Sequence, residues 1–150
     1  MRERRVEEGS ISLYLLGLAV IAMVLVAGTV AVTSAHLARM RMLDVADGAA
    51  LDAANALDAS AYQRGVGDVV PLSTASVRER ATTYVGALER PPGVQDWRLT
   101  SGTGSPDGRT AVVALTGEAR LPMVGGVLRG LGVSITITVA SSARSDIAAP

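Results

Sequence analysis

The sequence contains no cysteine, no phenylalanine and no lysine. Without cysteine, the chain cannot form disulfide bonds, thiolate metal sites or a thiol nucleophile. One tryptophan and three tyrosines are its only large aromatic residues, so any folded core must be built mainly from valine, leucine, isoleucine and alanine. The 14 arginines are balanced by 14 acidic residues, and without a basic excess nothing indicates nucleic acid as a partner.

Charge is also absent from one long stretch, which runs from Ser10 to Ala35. A helix over this stretch is roughly 39 Å long at ~1.5 Å per residue, whereas the hydrocarbon core of a bilayer is about 30 Å thick. We therefore predict a charged leader over residues 1–9 and a transmembrane helix over residues 10–35. Thr33–Ala35 has the small residues of a signal-peptidase site, but the preceding run exceeds the about 7–15 apolar residues of a signal peptide. A retained anchor is therefore favoured over cleavage at Ala35.

Arginine residues on either side of this span predict its orientation. Arg2, Arg4 and Arg5 precede the span, and only Arg39 and Arg41 follow it closely. Because flanking basic residues tend to stay in the cytoplasm, we expect a cytoplasmic N-terminus and an extracytoplasmic C-terminal part. The protein is thus expected to be a single-pass protein of the cell membrane.

After the span, residues 36–58 are rich in alanine and predict a continuation of the helix. One face is indicated by Met40, Leu43, Asp47, Ala50, Ala54 and Leu57 at 3,4 spacing, widened by Leu51 and Ala53. A carboxylate on a packed face needs a hydrogen-bond or charge partner. Two interpretations of Asp47 stay open: it is paired inside a protein contact, or it lies at the edge of the face in water. We predict that Leu43, Asp47, Ala50 and Leu51 contact a partner protein.

Residues 59–150 predict a small head that begins with a short helix. Ser76 is followed three residues later by Glu79, which is the spacing of a capping box with Ser76 as N-cap. The helix is expected to run to about Glu89, because the proline pair at 91–92 cannot continue it.

The C-terminal third of the chain predicts strands, at Trp97–Ser101, Thr110–Thr116 and Val133–Val139. The turn formers of Ser105–Gly108 predict a hairpin between the first two, and Glu118–Leu121 offers an extension of the second strand. Val133–Val139 alternates apolar and polar residues, which is typical of an antiparallel strand with one face in solvent. Met123–Gly132 fits either a turn of helix or a loop, and Ala140–Pro150 is expected to be frayed. The fold class is therefore α+β.

No set of residues in the sequence predicts an active site. His36 is the single histidine, and it lies at the membrane boundary without a second nitrogen or sulfur ligand nearby in sequence. Asp44 and Asp47 have a D-x-x-D spacing, but hard cations need several oxygen ligands together. Isolated glycines such as Gly125 and Gly126 lack the pattern of a phosphate loop. We therefore predict a protein that is not an enzyme, without catalytic residues, cofactor, metal or small-molecule substrate.

The membrane helix and the alanine-rich sequence that follows it resemble a known family. The segment MRMLDVADGAALDAANAL after a charged leader and an apolar span is similar to the N-terminal region of TadE/TadG-like proteins of Flp-type (tight-adherence) pilus systems. The matching positions are Leu43, Ala46, Asp47, Ala49, Ala50, Leu51, Ala53 and Ala54. The short length and the alternating strand near the C-terminus also resemble the small actinobacterial TadE-like proteins.

This resemblance implies a pilin-like or pseudopilin-like component of a pilus or secretion apparatus. Its partners would be other pilin-like proteins and the inner-membrane platform of that machine. Many prepilins are cut after a glycine that ends a charged leader, which implies a leader-peptidase site between Gly9 and Ser10. Tyr14 stands where a typical prepilin carries glutamate, and this difference implies a minor component rather than the major pilin.

A second hypothesis needs no pilus. The chain would then be a single-pass, membrane-anchored scaffold or binding module, with the strand at Val133–Val139 open to a partner strand at the edge of the sheet. The sequence distinguishes the two hypotheses only through the segment around Asp47.

Overall fold

One helix, α1, dominates the computed structural model of the protein, which describes residues 7–64, 72–132 and 134–144. It runs without a break from Glu7 to Arg64, over 58 residues, and is roughly 87 Å long. The elements that follow are α2 (Thr74–Ala87), β1 (Val94–Leu99), β2 (Thr110–Ala119), α3 (Gly125–Gly130) and β3 (Thr136–Arg144). The predicted α+β fold is thereby confirmed. The predicted boundary between residues 35 and 36 lies inside α1, where the helix is continuous.

The second helix begins earlier than its capping box indicated. Ser73 is the N-cap of α2, because its Oγ accepts a hydrogen bond of 3.0 Å from the backbone N–H of Ser76. The prediction of Ser76 as N-cap was wrong, since Ser76 already lies in the first turn and its hydroxyl donates back to the carbonyl of Ser73 at 2.9 Å. The helix ends at Ala87, with Leu88 as C-cap, before the proline pair.

The three strands form one antiparallel sheet in the order β1-β2-β3. The predicted hairpin is confirmed, and β2 continues unbroken to Ala119, as its possible extension indicated. The third strand is Thr136–Arg144 rather than Val133–Val139. The expectation of a frayed tail was wrong for residues 140–144, because they pair with Ala114–Thr110 of β2. Val133 and residues 145–150 lie outside the described residues.

The turn before β2 is held by one carboxylate. Asp107 accepts hydrogen bonds from the backbone N–H groups of Arg109 and Thr110, at 2.9 and 2.7 Å, and from the hydroxyl of Thr110 at 2.8 Å. These bonds, led by that from Arg109, lower the pKa of Asp107 to about 2. Gly108 follows with φ of 70°, a conformation that glycine adopts without strain.

The core lies between α1 and one face of the sheet. From α1 it receives Ala38, Met42, Ala46, Ala49, Ala50, Ala53 and Ala54, and from β2 and β3 mainly Ala111, Val113, Leu115, Ile137 and Val139. The helix α2 packs on α1 through the buried residues Val77, Ala81 and Val85. The upper half of α1 is therefore part of the head, while its lower half extends away from it.

Candidate functional site

The lower half of α1 exposes apolar side chains around its whole circumference. Exposed fractions lie between 53% at Val20 and 77% at Tyr14 for the large apolar residues from Ile11 to Val26. Within the described residues, α1 is the one helix that is long and apolar enough to cross a membrane, and none of its most apolar window is buried. The central helix of a soluble protein would bury this surface. The helix therefore has the properties of a membrane anchor.

The predicted leader-peptidase site lies at the beginning of this anchor. The backbone at Gly9 and Ser10 belongs to the first turns of α1, and residues 1–6 of the leader lie outside the described residues. Tyr14, in the position where a prepilin carries glutamate, is exposed among the other apolar side chains.

The four residues predicted to contact a partner do not share one face of α1. Ala50 is fully buried against the head, whereas Leu43, Asp47 and Leu51 are exposed. The predicted face is therefore divided, because its alanines Ala50, Ala53 and Ala54 pack within the chain, while contact of Leu43, Asp47 and Leu51 with a partner stays a prediction. Alanines occur on both sides of the helix, and the side that packs on the sheet is the one carrying Ala38, Met42, Ala46, Ala49 and Ala53.

The exposed residues form a stripe of their own, which we call the outer stripe: Met40, Leu43, Asp47 and Leu51. Their exposed fractions are 52% for Met40, 39% for Leu43 and 56% for Leu51. Asp47 makes no hydrogen bond or ion pair with another described residue. Among the described residues Asp47 therefore has no partner, and its exposed carboxylate is open to a neighbouring molecule.

Small residues in the same segment let α1 approach the rest of the head closely. A Cβ atom on Gly48 would collide with the phenol oxygen of Tyr84 on α2. On the sheet side, a Cβ atom on Gly117 would lie 3.1 Å from the sulfur of Met42 and would collide with the carbonyl oxygen of Asp96. The small residues on the buried sides of this segment therefore serve packing within the chain, while the outer stripe stays exposed.

A contact lower on α1 ties the head to the end of the charge-free run. Arg41 donates a hydrogen bond of 2.6 Å to the carbonyl oxygen of Pro92, in the loop before β1. Beside it lies an open cleft of about 270 Å³, lined by Ser34, Leu37, Arg41, Gly93, Arg120, Leu121 and Pro122. The loops at this end of the head thus lie beside residues 34–41 of α1.

The described residues contain no group of three or more histidine, cysteine, aspartate or glutamate side chains that could hold a metal ion. His36, Asp44 and Asp47 are all exposed on α1. The absence of enzymatic activity stays a prediction.

The sequence analysis missed one exposed feature of the head. Met123, Val127 and Leu131, in and around α3, are exposed by 67–75%. Their spacing of four residues is the signal that could have indicated one apolar side of a short helix.

Comparison with known proteins gives a match to the part of the chain that carries these features. Residues 9–62 match the family model described as "Putative Flp pilus-assembly TadE/G-like". No curated protein and no solved structure shows a significant match to the chain. The matched segment begins at the predicted cleavage site and covers nearly all of α1, whereas α2 and the sheet lie outside it. Residues 9–62 of the chain are therefore similar to the TadE/G-like proteins of Flp pilus assembly, which confirms the resemblance predicted from the sequence.

Proposed function

We propose that this protein is a non-enzymatic, pilin-like or pseudopilin-like component of a Flp-type pilus or a related secretion apparatus. The observation that carries the proposal is the match of residues 9–62 to the pilus-assembly family, on a helix whose lower half is open to lipid and whose upper half is packed in a small head. One rigid element thereby joins the membrane to the part that meets other components.

The orientation follows from the charges next to the span. With Arg2, Arg4 and Arg5 before it and only Arg39 and Arg41 close behind it, the N-terminus is cytoplasmic and the head extracytoplasmic. Arg41 is moreover bonded to the head through Pro92, which fits a position on the same side as the head.

The outer stripe is the surface that fits a neighbouring component. It begins at Met40, a few residues above the charge-free run, where a second membrane-anchored helix would run alongside α1. Its leucine and methionine side chains would pack against that helix, and Asp47 would be removed from water. A buried carboxylate must then receive a hydrogen bond or an opposite charge from the neighbour.

Asparagine substitutions at Asp47 and at Asp44 test this arrangement. Asp47→Asn would leave the neighbour's donor or cation without its partner, which costs about 1–3 kcal/mol of association. Asp44 is exposed three residues earlier on the same helix, and Asp44→Asn is expected to change association by no more than about 0.5 kcal/mol, as surface sites do. The measurements are co-purification from membranes with the other pilus or secretion components, and pilus or secretion output.

Wild-type behaviour of both variants would show that Asp47 is a solvated residue in the assembly as well as in the single chain. It would favour the second hypothesis, a membrane-anchored scaffold. That hypothesis has support in β3, which within the described residues pairs only with β2 and so leaves one backbone edge open over Thr136–Arg144. Strand addition there would not depend on the charge of Asp47.

A further inference from the structure

The antiparallel sheet places two connecting segments at one end of the head. Val94 at the start of β1 pairs with Ala119 at the end of β2, and Glu118 pairs with Thr136 at the start of β3. The segment between β2 and β3, residues 120–135, therefore lies at this end together with the loop before β1. It contains α3.

This end of the head faces the membrane-spanning part of α1. Leu121 and Pro122 line the same cleft as Ser34 and Leu37 of α1. At the opposite end of the sheet, Ser101 and Thr103 accept hydrogen bonds of 3.0 Å from Arg78 in the first half of α2. The segment with α3 thus belongs to the end of the head that lies beside the last turns of the charge-free run.

The depth of that position follows from helix geometry. If the hydrocarbon core begins at Ile11, its thickness of about 30 Å takes roughly 20 residues of helix and ends near Val30. The headgroup layer, about 5–8 Å thick on each side, then covers Ala31–Ala35. Leu121 and Pro122 share a cleft with Ser34, Leu37 and Arg41, at and just above that layer, and α3 follows within three residues.

The side chains of this segment divide into two sets. Val124 and Leu128 pack against the core. Met123, Val127 and Leu131 are exposed by 75%, 67% and 72%, and we call them the α3 face. Met123, the first residue of the α3 face, has φ of 67°. This left-handed conformation is uncommon for a residue with a Cβ atom.

The exposed charges next to the α3 face in sequence are arginines, and the half-buried Glu118 lines the pocket behind α3 together with Arg129. Arg120 and Arg129 are exposed, and no acidic residue occurs between Glu118 and the end of the chain segment at Ser134. An apolar side flanked by arginine matches the boundary between acyl chains and anionic headgroups. A water-facing loop would gain nothing from three neighbouring large apolar side chains.

We propose that the α3 face inserts into the outer interface of the bilayer that α1 spans, with Arg120 and Arg129 against the headgroups of anionic lipids. The head then has two attachments to the membrane, the helix α1 and the α3 face beside it. The second attachment fixes the tilt of the head and the direction in which the outer stripe points. This inference rests on the membrane insertion of α1.

The absence of cysteine from the chain allows a direct measurement. Val127→Cys in the full-length protein carries a nitroxide spin label at the centre of the α3 face. Val24→Cys, on the exposed lower half of α1, is the control in lipid. Ser101→Cys, exposed in the turn after β1, is the control in water. Each protein is reconstituted singly in nanodiscs of phosphatidylcholine with phosphatidylglycerol, and collisions of the label with oxygen and with a water-soluble nickel chelate are compared.

We expect the label at Val127 to collide more often with oxygen than with the nickel chelate, as the label at Val24 does, but at a shallower depth. The label at Ser101 should collide more often with the nickel chelate. Leu131→Cys should repeat the result, and discs without phosphatidylglycerol should shift both labels toward water. A Val127 label that behaves like Ser101 would overturn the proposal while leaving the anchor intact. Shielding from both reagents would also overturn it, because it would mean that a second protein covers the α3 face. A Val24 label in water would overturn the membrane anchor and this inference together.

Discussion

Among single residues, the smallest ones decide how near α1 lies to its neighbours. Within the described residues, the buried side of α1 is almost entirely alanine, and Met42 is the large side chain among them. Alanine buries little apolar area per residue, but it allows the helix backbone to approach the sheet and supports the helix itself. The stability of the head therefore depends on close approach more than on the size of its core residues.

Gly117 is the position at which this close approach is most sensitive. A Cβ atom there would collide with the backbone oxygen of Asp96, which cannot turn away as a flexible side chain would, and would press on Met42. Gly117→Ala is expected to lower the free energy of unfolding by about 1–3 kcal/mol, as overpacking does. Denaturant unfolding of the full chain, followed by the fluorescence of Trp97, which pairs with Gly117, measures the effect.

Gly86→Ala is the control for that experiment. Gly86 is exposed near the end of α2, and a Cβ atom there would meet nothing within 4 Å. Because alanine favours a helix over glycine, stability should be unchanged or raised by up to about 1 kcal/mol. Equal loss of stability in both variants would contradict a special role for Gly117.

Asp107 gives the stability of the head a dependence on pH. Its folded pKa of about 2 lies below its ordinary value of 3.8, because backbone N–H groups and Thr110 bond the ionised form. A lowered folded pKa stabilises the fold above the unfolded pKa, and the contribution is lost as the pH falls from about 4 through about 2. Asp107→Asn should lower Tm slightly at neutral pH, and its difference from the wild type should shrink over that range.

The matched variant for this comparison is Asp44→Asn, whose carboxylate makes no hydrogen bond to a described residue. If the difference in Tm between Asp107→Asn and the wild type stayed constant from neutral pH to about pH 2, the turn would not depend on the ionised carboxylate.

At the scale of elements, local signals in the sequence predicted the presence of α1, α2 and the hairpin. Each of these signals lies within a few residues of the element that it predicts. They are the charge-free run from Ser10 to Ala35, the proline pair after α2 and the turn at Ser105–Gly108. Such signals work because capping, turn formation and membrane insertion depend on neighbours in the sequence.

The errors concern elements whose structure depends on distant residues. Residues 140–144 have little preference for a strand, but β2 offers them hydrogen-bonding partners, so tertiary pairing extends β3. The predicted apolar face followed Met40, Leu43 and Ala50 at 3,4 spacing, with both interpretations of Asp47 left open, whereas the sheet packs on alanine. A helix with alanine on several sides does not indicate which side will be buried. The same limit applies to α3, whose apolar face has meaning only beside the span of α1.

At the scale of the whole molecule, anchor and head are one structure. Residues 38–54 of α1 supply a large part of the core, and they follow the charge-free run without a break. The head therefore cannot turn freely on a linker, and any force on α1 acts directly on the head. This rigidity suits a subunit that neighbouring subunits must recognise in a fixed orientation.

The last prediction concerns how this molecule is inserted and processed. If a prepilin-type peptidase cuts after Gly9, the mature chain begins at Ser10, at the start of α1. Intact-mass analysis of membrane-extracted protein should give the mass of residues 10–150. Protease added to spheroplasts should digest a tag at the C-terminus, because the proposed orientation places the head outside. Gly9→Val should retain the leader, whereas Gly17→Val, at a glycine inside the span with free space around it, should be cut like the wild type.

The other possible N-termini can be distinguished by mass, and each corresponds to a different processing of α1. A chain that begins at Met1 or Arg2 is an uncut anchor, which contradicts processing and leaves the TadE/G-like segment as a permanent membrane helix. A chain that begins at His36 has lost its span as a signal peptide, and it contradicts the pilin-like proposal altogether. Such a chain would also lose Ala31 and Ala35, which pack against the core from the upper end of the span. Since those contacts tie the span to the fold of the head, we expect the span to stay on the mature protein.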